Sequence, residues 1–325
     1  MWANSTDDPE NFTKPNWIHM TIMIAVTVLI LLSSLFTLAV IVYSNGYRSL
    51  QGIFMICIAS SNLLVGVLVT PVGIFLSQNP DYQTIENICP VSCTSLLWSV
   101  TFVLYCIGFM ALEKYFKIKL SITYVNRIRP LYGWIVACLT AVGSAFVVAL
   151  PIKLQGSEMF RLYSDTSFLC IFSYQGLGYI STPAILLNIG SHLALGQLVR
   201  HIKRNPNQMC PSMPRRLNRD LTAAKTISIS LGIFLCSYIP ATVCIFLRQY
   251  VVVDIPKPVF FGVTWLTISN NFFISILYYQ HNSVFRYKAQ KLIQVMCNPC
   301  QSLFCSKTNI KGLWTFTDVN DQLSL

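Results

Sequence analysis

Apolar residues in this chain come in long unbroken runs rather than in the alternation of a strand or the narrow stripe of a surface helix. Seven windows contain no Asp, Glu, Lys or Arg: 18–43, 53–77, 90–112, 131–152, 171–199, 226–247 and 258–279. About 20 mostly apolar residues in helical form span the hydrocarbon core of a bilayer, and each window reaches that length. A helix apolar on all sides needs lipid or a protein interior around it, so the pattern predicts an all-α fold, a seven-transmembrane-helix bundle in one domain. The pattern changes after the seventh window. Phe285, Ala289, Leu292, Ile293 and Met296 share one helical face, with Arg286, Lys288, Lys291 and Gln294 mostly on the other. That spacing predicts a short amphipathic helix over 283–296, lying on the inner membrane surface. The expected order is an outer N-terminus (1–17), the seven-helix domain (18–282), the surface helix (283–296) and a tail (297–325).

Composition sharpens the membrane reading. The 325 residues are 54% hydrophobic and 11% charged, against roughly 25% charged in soluble domains, which disfavours a water-soluble enzyme. Ion pumps and proton-coupled transporters keep charge inside their helices, and the seven windows hold none. Orientation follows from Lys and Arg, which keep short loops cytoplasmic. With the N-terminus outside, the net charge of +11 divides into +14 within and −3 without. That is topology, also suited to anionic membrane lipid, and not a sign of nucleic-acid binding. Asn4-Ser5-Thr6 and Asn11-Phe12-Thr13 are N-glycosylation acceptors usable only outside the cell, so Asn4 and Asn11 agree with a multi-pass plasma-membrane protein whose N-terminus is extracellular. No basic region with a cleavage site precedes the first apolar run, so helix one is expected to act as signal anchor. The inner connection over about 200–225, with Asn205-Pro206, Pro211, Pro214 and a basic cluster, reads as a solvated loop where a transducer docks.

Position-specific residues narrow the class. Ser61-Asn62-Leu63-Leu64-Val65-Gly66 is followed by Thr70-Pro71, Glu113-Lys114-Tyr115 by Ile118, Ser121 and Tyr124, and Tyr278 by Phe285-Arg286. Trp134, Pro183 and Phe234 with Pro240 fall in the fourth, fifth and sixth windows. This set resembles the rhodopsin-like (class A) G-protein-coupled receptors over about residues 30–300, nearest in helix two to the amine-receptor branch. The resemblance implies an extracellular ligand and a heterotrimeric G protein as partners, with no catalysis and no cofactor. It implies an activation switch at Asn62, Glu113, Lys114, Tyr115, Phe234, Pro240, Asn270, Asn271 and Tyr278. It also implies a disulfide between Cys89 and Cys170, for which Cys93, one turn below Cys89, is the competitor. Cys297, Cys300 and Cys305 resemble palmitoylation sites; zinc is the alternative, though no fourth ligand lies near, and no metal site is expected.

The sequence also departs from the family. Asn62 stands where an acidic residue binds sodium, so no strong sodium effect is expected; Ser269, Asn270 and Asn271 are its expected partners, in a cluster that serves as switch, as helix glue or as both. Lys114 replaces arginine and keeps the charge without the planar guanidinium fork. Ser191 takes the place of a helix-five tyrosine, Tyr238 that of a helix-six tryptophan, and Ile274 precedes Tyr278 where the family has Asn-Pro. Leu96 occupies the position of the amine-binding aspartate, which argues against an amine salt bridge, and helix seven has no lysine for retinal. The expected ligand pocket comprises Leu96, Trp98, Ser99, Tyr105, Tyr174, Tyr238, Thr242, Phe261, Thr264 and Trp265, an aromatic and hydroxyl lining for a neutral or lipophilic small molecule, with plain helix packing as the alternative. Lys114, Thr123, Tyr124, Arg200, Arg216 and Lys225 are expected on the G-protein face. The competing function is a receptor-like heterodimer or trafficking partner with weak signalling of its own, motivated by the altered motifs. A transporter, an enzyme, or PDZ docking through Leu323-Ser324-Leu325 has less support.

Overall fold

The computed structural model describes residues 16–304, apart from 79–81, 128–129, 156–162, 165–166, 171–173, 205–213, 252 and 254. Seven helices long and apolar enough to cross a membrane make up the bundle. They are α1 (Trp17–Tyr43), α2 (Leu50–Leu64, continuing to Gln78), α3 (Tyr82–Arg127), α4 (Pro130–Gln155), α5 (Tyr174–Arg204), α6 (Pro214–Phe246) and α7 (Lys257–His281). An eighth, α8 (Ser283–Phe304), follows. Between α4 and α5 a short antiparallel pair, β1 (Tyr163–Ser164) and β2 (Leu169–Cys170), aligns Tyr163 with Cys170.

Local chemistry sets the boundaries. The Ser49 hydroxyl accepts the Gly52 N–H at 3.1 Å and caps α2, after a turn in which Asn45 adopts φ 51°. Asn282 Oδ1 accepts the Phe285 N–H at 3.0 Å and starts α8 directly after α7. Within α2, residues Val65–Val69 form a π-helical turn immediately before Thr70-Pro71. Pro71 cannot donate to the turn behind it, and a local switch of hydrogen-bond register is one way a helix passes such a residue without breaking.

α3 is the central post. Val100, Phe102, Val103, Leu104, Cys106, Ile107, Met110 and Ala111 are all buried, so almost the whole circumference of the helix faces protein. This explains an apolar run without an amphipathic stripe. On α4, by contrast, Leu139, Val142 and Phe146 are about two-thirds exposed (67%, 68% and 67%), as lipid-facing side chains are. Because lipid removes most of the hydrophobic drive for helix association, polar rivets carry part of the cohesion, each contributing about 0.6–1.7 kcal/mol. Asn188 on α5 donates to the Leu104 carbonyl of α3 at 2.8 Å, the Trp98 indole to Ala141 of α4 at 3.2 Å, and Thr267 of α7 to Ser237 of α6 at 2.9 Å.

Three expectations are corrected. The surface helix runs to Phe304 instead of ending at Met296; the amphipathic alternation stops before the backbone ladder does. Its buried stripe is also narrower: Phe285, Ala289 and Leu292 pack inward, whereas Ile293 and Met296 are exposed at 42% and 65%. The charge-free windows also end short of α3, which carries Glu113 and Lys114 into the buried interior.

Candidate functional site

At the outer end, Cys89 of α3 is bonded to Cys170 of β2, with 5.5 Å between their Cα atoms. Cys93, the competitor, is a free thiol beneath the pair and donates to the Cys170 carbonyl at 3.4 Å. The bond anchors the loop before it, and this loop turns into the bundle. Ser167, Phe168 and Leu169 are 0%, 4% and 2% exposed. Phe168 takes φ 56°, in the left-handed region that non-glycine residues rarely occupy, at the point where the chain turns into the bundle. The Trp265 indole of α7 donates to the Ser167 carbonyl at 3.0 Å. Phe168 meets Phe261 edge to face at 6.2 Å, and His19 of α1 lies against both rings at 5.9 and 4.3 Å. Leu169 reaches α2 at Gly73, where a Cβ would lie 2.7 Å from Leu169 Cδ2 and 2.8 Å from the Phe168 carbonyl, so the approach requires glycine.

The ten residues expected to line one pocket are thus divided. Leu96, Phe261 and Trp265 pack around Phe168 and Leu169. Tyr238 lies deeper in a separate core cluster and stacks on Phe234 at 4.1 Å. Thr242 and Thr264 return their hydroxyls to their own helices, at the Tyr238 and Phe260 carbonyls. Trp98 points at α4, stacked on Phe102 at 5.2 Å. Ser99 is bound to Ser61 of α2 at 2.7 Å, and half-buried Tyr105 packs against the central core cluster. Trp98 and Ser99 thus make contacts between helices. The side chain of Tyr174 lies outside the described residues. The loop itself was missed by the sequence reading; the available signal was Phe168-Leu169 directly before a cysteine tied to the mouth of α3.

The middle of the bundle holds the polar cluster around Asn62. Its amide donates to the backbone carbonyl of Asn271 on α7 at 2.7 Å, while the Asn271 amide turns back to Ile268 at 2.8 Å and the Ser269 hydroxyl to Trp265 at 2.8 Å. The expected side-chain cluster is therefore a side-chain-to-backbone tie. Asn62 Oδ1 and Asn270 Oδ1, both buried, have no partner among the described residues. These are neutral acceptors that suit a water molecule and lack the charge for a strong cation site.

At the inner end, Lys114 Nζ lies 3.0 Å from Glu113, both nearly fully buried. One turn further on, Lys117 of α3 is paired with Asp220 of α6 at 3.0 Å. This pair bridges α3 and α6, a link no sequence motif had marked. Tyr115 faces Lys119, whose ammonium donates to its hydroxyl at 3.1 Å. Tyr278 is buried, receives a hydrogen bond from Gln51 Nε2 of α2 and meets Phe285 edge to face at 6.0 Å. Pro240 is half-buried inside α6. On the expected G-protein face, Lys114 is buried and Arg200 and Lys225 are exposed. The side chains of Thr123, Tyr124, Arg216, Cys297 and Cys300, and all of Asn4, Asn11 and Cys305, lie outside the described residues.

The arrangement thus places a buried loop segment at one end of the bundle and an α3–α6 ion pair at the other. Comparison with known proteins gives the family. The chain matches the 7 transmembrane receptor (rhodopsin family) profile over residues 33–278. It is 22% identical over 281 residues to trace amine-associated receptor 13c of Danio rerio, covering 80% of this chain and 81% of that one. It is 22% identical over 297 residues to trace amine-associated receptor 4 of Rattus norvegicus, covering 84% and 83%. The adenosine receptor A2a of Canis lupus familiaris is 21% identical over 259 residues, covering 70% and 60%. With more than half of its length matched by the profile and with receptors as its relatives, the chain belongs to the rhodopsin family of seven-transmembrane receptors and is a receptor, not an enzyme.

Proposed function

We propose that the protein sits in the plasma membrane with its N-terminus outside and passes the binding of a neutral or lipophilic small molecule to a heterotrimeric G protein. The observation that carries this reading is the Lys117–Asp220 bridge from α3 to α6. Among the described residues, one ion pair joins the two helices there. Its partly exposed charges contribute about 0–1 kcal/mol, a link weak enough for a ligand-driven shift to break. Exposed Arg200 and Lys225 flank the mouth and supply positive charge for an acidic transducer face. Leu96 supplies no counter-charge for an ammonium, so the ligand differs in class from the amines named in two of the relatives. Glycans at Asn4 and Asn11, palmitoyl groups on Cys297, Cys300 and Cys305, and contact with anionic lipid complete the reading.

The test is to express the chain alone, verify surface delivery, and record proximity to a panel of G-protein sensors with and without pooled lipophilic ligands. Arg200→Glu with Lys225→Glu is expected to weaken coupling at unchanged surface level. Coupling that ignores both reversals overturns the assigned face. The second reading, a receptor that dimerises with or traffics another and signals poorly alone, is supported by Lys114 and by the missing Asn-Pro before Tyr278. It predicts that coupling appears only when a partner receptor is co-expressed.

A further inference from the structure

We propose that Cys93 is a second anchoring sulfur for Cys170: by thiol–disulfide exchange it takes over the bond that Cys170 makes with Cys89, and so gives the outer end of the receptor two covalent forms. The proposal stands on the placement of three sulfurs and on no ligand or transducer.

On the oxidising side of a membrane cysteines ordinarily end in disulfides, and an odd thiol left beside such a bond is a candidate for exchange with it. Cys89 and Cys93 stand one turn apart on α3 and so share a face of the helix. Cys89 is bonded to Cys170 of β2, and Cys93 Sγ donates to the carbonyl of the same Cys170 at 3.4 Å. All three are buried in one cluster with Leu76 of α2, Leu97 of α3 and Val148 of α4. Among the described free cysteines only Cys93 belongs to that cluster; Cys57, Cys106, Cys138, Cys236 and Cys244 lie outside it. Cys170 thus meets two cysteines on one helix face and is bonded to the one nearer the start of the helix.

The step balances without an oxidant. Cys93 gives up its proton and attacks Cys170 Sγ; the Cys93–Cys170 bond forms as the Cys89–Cys170 bond breaks, and Cys89 leaves as a thiolate that takes up the proton. Attack on Cys89 is disfavoured by geometry. Helix residues four apart hold their Cβ atoms about 5–6 Å from each other, whereas a disulfide spans roughly 3.5–4.5 Å between them. The nucleophile is the thiolate, which needs solvent, so a wholly buried Cys93 is idle while β2 is seated. Exchange runs when the outer end opens, and the new bond lowers the anchor of β2 along α3 by one turn, about 5.4 Å.

The test uses the full chain, purified without reductant, and reads its bonds by mass spectrometry after alkylation and digestion. Before any treatment the chain should yield Cys89–Cys170, with Cys93 alkylated. Held in a buffer of reduced and oxidised glutathione at mildly alkaline pH, it should yield a second disulfide peptide, Cys93–Cys170, with Cys89 alkylated in the same fraction of molecules. Cys93→Ser should abolish that peptide and leave Cys89–Cys170 in place. Cys89→Ser should move the bond completely, with loss of both alkylated Cys93 and free Cys170. The exchange is overturned by an unchanged Cys89–Cys170 bond in the treated chain, by glutathione on Cys170 with Cys93 still alkylated, by a Cys89–Cys93 peptide, or by a free Cys170 in folded Cys89→Ser. If Cys89→Ser fails to fold, the glutathione experiment on the unmodified chain decides by itself, since it needs no substitution. A chain that exchanges its disulfide while the G-protein sensors stay silent upholds the second anchor and counts against the receptor reading alone.

Discussion

Asn62 is the residue on which sodium sensitivity turns. Its Nδ2 is committed to the Asn271 carbonyl and its Oδ1 is an unpartnered neutral acceptor, so the site offers dipoles and no net charge. The apparent melting temperature of the purified chain should therefore be the same in sodium chloride and choline chloride at equal ionic strength. Asn62→Asp should lower it in choline, because a fully buried carboxylate without a counter-charge costs several kcal/mol, and recover part of the loss in sodium. A sodium shift in the unmodified chain would sink this account. Tyr278 makes a second residue-scale prediction. Tyr278→Phe leaves the Gln51 amide without its buried acceptor and should cost about 1 kcal/mol, read as a drop of about 2–4 °C in the apparent midpoint. Gln51→Leu with Tyr278→Phe removes both partners and should be closer to neutral than either single change, which separates the hydrogen bond from the shape of the ring.

At the scale of elements the informative pair is α3 and α6. If Lys117–Asp220 closes the inner mouth, Lys117→Asp should raise basal coupling several-fold, because it puts two carboxylates together where one ion pair stood. The exchange Lys117→Asp with Asp220→Lys should return coupling toward its original level. Basal coupling that rises with the single change and stays high in the exchange would mean that Lys117 acts through another contact. No reading of one sequence could have found this pair, since neither residue belongs to a motif and only the packed bundle brings them together. The helices were legible because charge-free runs longer than a bilayer have one physical interpretation. The lining of the outer cavity was less so. Leu96, Trp98 and Ser99 lie at similar depth, but successive residues of an α-helix turn by 360° every 3.6 residues, so depth alone does not say which of them faces the cavity. Trp98 faces α4, Ser99 faces α2, and Leu96 packs on the cluster that holds Phe168 and Leu169.

For the whole molecule the question is whether the altered parts still form one transmission path. Lys114 is buried beside Glu113 and reaches it as a point charge at 3.0 Å. Arginine would offer a planar fork able to hold Glu113 and a second acceptor at once, whereas lysine can rotate but cannot present two parallel donors. The cost of that difference falls on the open form, where the side chain must leave Glu113 and find a partner beside α5, and Ser191, nearly buried there, spends its hydroxyl on the Asn188 carbonyl at 3.1 Å. Lys114→Arg should therefore increase maximal coupling of the chain expressed alone, and Lys114→Arg with Ser191→Tyr should increase it further, both at unchanged surface level. If both variants couple no better than the original and a co-expressed receptor restores signalling to all three, the path runs through a partner and the weight passes to the dimer reading. If the original chain already couples as strongly as Lys114→Arg, the buried lysine is a sufficient switch, and the planar fork of arginine adds nothing to the path.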